Sequence, residues 1–88
     1  MPAITRTVTK AKEIIYSTGD VRAVLSEPSA QRMLLVVAPA NTPPKHLDQL
    51  LAKAKARDGV AGMTLLENHK FVQRPDGVVE LHKEEVVA

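Results

Sequence analysis

The stretch Thr42-Pro-Pro-Lys-His-Leu-Asp-Gln-Leu-Leu-Ala-Lys-Ala-Lys-Ala-Arg-Asp-Gly59 marks its own beginning and end, and the rest of the chain is read around it. Thr42 is placed to cap, because its hydroxyl can accept from an unpaired first-turn amide. Pro43 then takes the first helical position, where a missing N–H costs nothing. Leu47, Leu50, Leu51 and Ala54 recur at i, i+3, i+4 and i+7 and form one apolar stripe. Lys53, Lys55 and Arg57 complement the dipole near the carboxyl end. Gly59 can adopt the left-handed backbone that ends a helix. The spacing therefore predicts an amphipathic helix over about 43–58 that packs its leucines on a sheet.

Upstream of it, Arg32-Met-Leu-Leu-Val-Val-Ala38 is continuously apolar rather than alternating. A run of that length between turn signals is the pattern of a strand buried on both faces, hence a central one. Pro39 stops it, and Pro39-Ala-Asn-Thr-Pro-Pro44 forms a stiff link to the helix. Residues 4–9, Ile-Thr-Arg-Thr-Val-Thr, alternate and are rich in β-branched side chains, as a strand is. Glu13 to Tyr16 and Val21 to Leu25 flank the turn cluster Ser17-Thr18-Gly19-Asp20 and suggest a hairpin. A helix starting at Thr9 is the alternative. Ser26 to Gln31 forms a second turn region around Pro28.

Downstream, Met63 to Leu66 reads as a short strand or as a last piece of helix. His69 to Arg74 and Val78 to His82 enclose Pro75-Asp76-Gly77, with Pro at i+1 of a type I turn and Gly as the left-handed bulge residue. That register sets Phe71 opposite Leu81 and Gln73 opposite Val79 on a core-like face. It sets Lys70 opposite His82 and Val72 opposite Glu80 on a mixed one. Lys83 to Ala88 reads as a tail or a strand extension. The expected fold is α+β, a mainly antiparallel sheet of five to six strands with one helix on one face, in a single domain over 1–88.

Composition narrows what such a domain can do. The 88 residues include one Phe, one Tyr and no Trp, so the core must be aliphatic and the stability margin thin. Hydrophobic content of 44% with 25% charged residues matches globular usage rather than disorder. The lack of cysteine excludes disulfides, thiolate metal sites and a cysteine nucleophile, and fits a reducing compartment. Arg6, Lys10 and Lys12 interrupt the opening residues, and the longest apolar run, Met33 to Ala38, is too short to span a bilayer. A cytoplasmic protein without membrane contact is expected. The net charge of +2 is small but uneven, with a balance of +5 over residues 1–57 and −3 over 58–88.

No chemistry stands out. The histidines His46, His69 and His82 lack the spacing of a metal site, and the hairpin register sends His69 and His82 to opposite faces. Ser17, Ser26 and Ser29 sit in turn-rich sequence, where serine has structural work, and none lies in a nucleophile elbow. Glu67, Asp76, Glu80, Glu84 and Glu85 show no spacing that pairs two of them for acid–base chemistry. No glycine pattern cradles a phosphate. The sequence thus points to no catalytic residue, cofactor, metal or small-molecule substrate.

Binding remains. Asp76-Gly-Val-Val-Glu-Leu-His-Lys-Glu84 resembles the hairpin of swapped-hairpin antitoxin and transition-state regulators, which reads Asp-Gly-x-Val-x-Ile/Leu-Pro-Lys-Glu. His82 replaces the proline and the following helix is absent, so no family is assigned. The expected function is that of a non-enzymatic binding or regulatory protein (an adaptor, inhibitor or accessory protein of a bacterium or mobile element). It would act on another protein and as a homodimer. Its candidate surfaces are the mixed hairpin face of Lys70, Val72, Arg74, Val78, Glu80 and His82, and sheet edges at residues 4–9 and Val86-Val87. The alternative is nucleic-acid binding through Lys45, Lys53 and Arg57 on the helix, helped by Arg6, Lys10 and Lys12.

Overall fold

The structure, a computed structural model, describes residues 3–26 and 32–84. The strands β1 (Thr5–Val8), β2 (Glu13–Thr18), β3 (Val21–Ser26), β4 (Met33–Val37) and β5 (Gly62–Leu65) form one sheet in the order β1-β2-β3-β4-β5. The helix α1 (Pro44–Asp58) joins β4 to β5, and β6 (His69–Gln73) and β7 (Val79–Lys83) make a separate hairpin. The fold is α+β as expected, with two refinements. The five-stranded sheet is mixed, because β5 runs parallel to β4. The sequence-predicted terminal hairpin does not add to that sheet. The parallel pair follows from the helical crossover, which carries the chain back to the end where β4 began.

Residues 9–16, open between strand and helix in the sequence, resolve into a tight turn and a strand. Lys12 N–H bonds Thr9 O, Thr9 N–H bonds Glu13 O, and β2 starts at Glu13. Ser17 and Thr18 belong to β2, so the next turn is Gly19-Asp20 alone, with Thr18 opposite Val21. Gly19 takes a φ of 53°, which favours the residue without a Cβ. Met63 to Leu65 is strand rather than helix. The Pro28 turn and the Val86-Val87 edge lie outside the described residues.

Leu34 and Val36 on β4 are fully buried, between Ala23 on one side and the parallel β5 on the other. They meet Leu50 and Ala54 of the leucine stripe, together with Ile14, Tyr16, Val21, Leu25 and Val60, in one aliphatic core. The remaining stripe residues, Leu47 and Leu51, pack at its margin. The other side of the sheet is covered too, since Ile15 and Val24 are buried there. The terminal hairpin is fastened on this second side, where Val79 N–H donates to Glu13 Oε1 at 3.2 Å. Its turn abuts the β1–β2 turn so closely that a Cβ on Gly77 would lie 2.9 Å from Lys10 N.

The helix start differs from the expected cap. Pro43 is the N-cap and Pro44 the first helical residue, while Thr42 Oγ1 donates back to Pro39 O at 2.7 Å. The reason lies in the two prolines. Pro44 has no N–H, so a hydroxyl at this end finds one amide fewer to accept from. Thr42 closes the preceding turn instead. The helix end is as expected, with Gly59 left-handed at φ 64° and its N–H on Lys55 O.

Candidate functional site

Each proposed site residue has a definite place. On the terminal hairpin the expected register holds, with Lys70 opposite His82 and Val72 opposite Glu80. Lys70, Arg74 and His82 are exposed; Val72, Val78 and Glu80 are half-buried. Arg74 contacts Asp76 at 2.9 Å and approaches Glu80 at 3.8 Å, and His82 Nε2 lies 3.1 Å from Glu80 Oε2. The charges of this face largely satisfy one another. Exposed pairs of this kind contribute about 0–1 kcal/mol each, so the face is balanced rather than sticky.

The cations do not form one surface. Lys45, Lys53 and Arg57 are exposed along α1 and make no ion pair among the described residues. Lys10 and Lys12 sit in the β1–β2 turn, against the hairpin turn on the other side of the sheet. Arg6 is already engaged. Its Nε and Nη2 donate to Asp58 Oδ2 and Oδ1 at 3.0 and 2.7 Å, the bidentate geometry that arginine and carboxylate share. Tyr16 OH also donates to Asp58 Oδ2, and Arg32 donates to the main-chain oxygens of Asp58 and Gly59. Arg32 thereby neutralises carbonyls that the helix end leaves unpaired. This clasp ties α1 to β1, β2 and the entry of β4.

The clasp sets two titrations. The Arg6 guanidinium holds the Asp58 carboxyl below the usual carboxylate range and is itself raised by that bond. Burial, then the bond to Asp58, pushes the Tyr16 phenol up to about 12. Both groups face the interior rather than a cleft, and they read as architecture.

The sheet ends openly. No strand pairs with the outer side of β1 or of β5 among the described residues. Among the described residues, the exposed large hydrophobic ones are Val8, 53% exposed on β1, and Leu65, 44% exposed on β5, one on each edge. Beside Leu65 lies a crevice of about 580 Å³, at the carboxyl ends of β4 and β5 and the mouth of α1. Its polar lining includes Asp20, Glu67, His69 and Glu84, and no lysine or arginine among the described residues. In sheets with a parallel crossover, ligand crevices occur at this end of the strands. His69 Nδ1 meets the Glu67 main-chain oxygen at 2.7 Å and has no carboxylate partner among the described residues. No three metal-ligating side chains converge among the described residues.

The sequence reading missed this crevice. Asp20, Ala38, Leu47 and Glu84 meet there only once the strand order is known. One local signal was available: Asn68 takes a φ of 57°, and asparagine between two apolar runs marks such a bend. No helix among the described residues is long and apolar enough to cross a membrane. Compared with known proteins, the chain matches no family, no curated protein and no solved structure.

Proposed function

We propose that this chain is a small, non-enzymatic cytoplasmic binding or regulatory protein that acts by contact with another protein and self-associates as a homodimer. The observation that carries the reading is the open sheet, whose two outer strands each have one edge unpaired among the described residues and present an exposed large aliphatic side chain, Val8 and Leu65. A strand with free N–H and C=O groups is a template for a further strand unless charge, proline or a cover blunts it. On β1, Thr5 to Val8 carries none of these outside Arg6, and Arg6 is turned inward to Asp58. Pairing of β1 with its symmetry mate would bury Val8 and satisfy both edges.

A second reading rests on the exposed, unpaired cations Lys45, Lys53 and Arg57 of α1, which suit a polyanion. One experiment separates the two. Light-scattering mass is measured during size exclusion at low and high salt, with and without mixed DNA and RNA. The expected result is a salt-insensitive dimer that ignores nucleic acid and that Val8→Lys converts to monomer. A strict monomer that captures no partner from a lysate would remove the first reading. Co-elution with nucleic acid at low salt only would put the helix face in its place.

A further inference from the structure

We propose that the outer edge of β5 and the adjoining crevice form one docking site, for an extended segment of a partner protein carrying lysine or arginine. The proposal rests on the protein-binding reading above and specifies where that partner sits and what its side chains are. Leu66 N–H donates inward to Val36 O at 2.8 Å. Successive residues of a strand face opposite ways, so the N–H and C=O of Leu65 turn outward, beside a side chain that is itself exposed. A partner strand laid along this edge finds backbone partners and an apolar contact at the same residue.

Charge decides what the neighbouring crevice accepts. Asp20, Glu67 and Glu84 bring carboxylates to it, and among the described residues no lysine or arginine lines it. Against them stands the mouth of α1, which would favour an anion. Its dipole amounts to about half a charge, and an anion there is held mainly by first-turn N–H groups. Pro43 and Pro44 have none to give. Full negative charges therefore outweigh half a positive one, and the ligand is cationic. Pro39, Leu47, Leu65 and Leu66 add apolar wall, which suits the methylene stem of a long basic side chain whose head reaches the carboxylates.

The test uses the full chain and a fluorescein-labelled probe, acetyl-Val-Lys-Val-Lys-Val-Lys-amide, followed by anisotropy and by amide chemical shifts. The lysine peptide is expected to bind and to shift the amides of Leu65, Glu67 and Asn68. Replacing its lysines by glutamate, or methylating alternate backbone nitrogens, is expected to weaken it about tenfold or more. The double variant Glu67→Gln with Glu84→Gln, both exposed positions, should weaken it by a factor of about 2–5 per carboxylate. Equal binding of the glutamate peptide, undiminished binding of the methylated one, or no binding of any probe to the folded chain would overturn the proposal. The broader reading would survive that outcome, because the light-scattering and Val8→Lys measurements concern β1 and not β5.

Discussion

At Asp58 a single carboxylate serves donors from two strands, Arg6 on β1 and Tyr16 on β2. Its side chain is only 8% exposed, so the pair is shielded from the solvent that weakens most surface ion pairs. The folded carboxyl titrates below its unfolded value of about 3.9, so its contribution is complete above that pH and is lost as pH falls through the folded value. Tyr16 works in the opposite sense. Its phenol is raised to about 12, so stability is full below the unfolded value of about 10 and declines as pH rises toward the folded one. Asp58→Asn is therefore expected to lower the urea midpoint near neutral pH and to flatten its fall in acid. An unchanged acid slope would show that the carboxylate is not held as described. Arg6 also shows why sequence reading stalls at this scale. In Ile4-Thr-Arg-Thr-Val-Thr9 nothing announces a partner 52 residues away, so the arginine passed for a free cation.

Elements were legible wherever their signals were local. The helix carried its leucine stripe and terminal glycine within one stretch, and the last hairpin carried Pro75-Asp76-Gly77, which fixes register through turn geometry. The cap was misread because a general preference for threonine met two consecutive prolines, and the missing amide prevailed. Gly77 carries a further burden that its turn role alone does not reveal. It combines a φ of 88° with a backbone approach to Lys10 that leaves no room for a Cβ. Gly77→Ala is expected to cost about 1–2 kcal/mol for the left-handed backbone alone. The contact with Lys10 and Ala11 should add to that by pushing the hairpin off the β1–β2 turn. Urea denaturation would give the loss, and amide shifts at Lys10 and Ala11 would show the displacement. A substitution that proved neutral would mean that the two turns do not touch.

For the molecule as a whole, strand order was the piece that sequence could not supply. The unbroken apolar run marked β4 as an inner strand, although only Leu34 and Val36 prove fully buried and Met33, Leu35 and Val37 stay half-buried; which strand would flank it, and in which direction, depends on how the helical crossover returns. The crevice is a product of that return and was hidden with it. The order also predicts an uneven stability. β2, β3 and β4 are paired on both sides, whereas β1 and β5 are each paired on one. Inward amides of β4, such as that of Val36, should exchange with solvent deuterium roughly a hundredfold or more slowly than the outward amide of Leu65. Comparable protection at Leu65 would mean that something covers the β5 edge. The two prolines at the mouth of α1 have a consequence beyond capping. Each fixes its φ, Pro43 at −61°, so the chain follows a nearly rigid path between Thr42 and Leu47, which both line the crevice. A wall already frozen loses no freedom when it is occupied. For the docking proposed at this crevice, that side would be pre-organised: arrival would be governed by diffusion and charge attraction, and differences between one partner and another would be left to the time each stays bound.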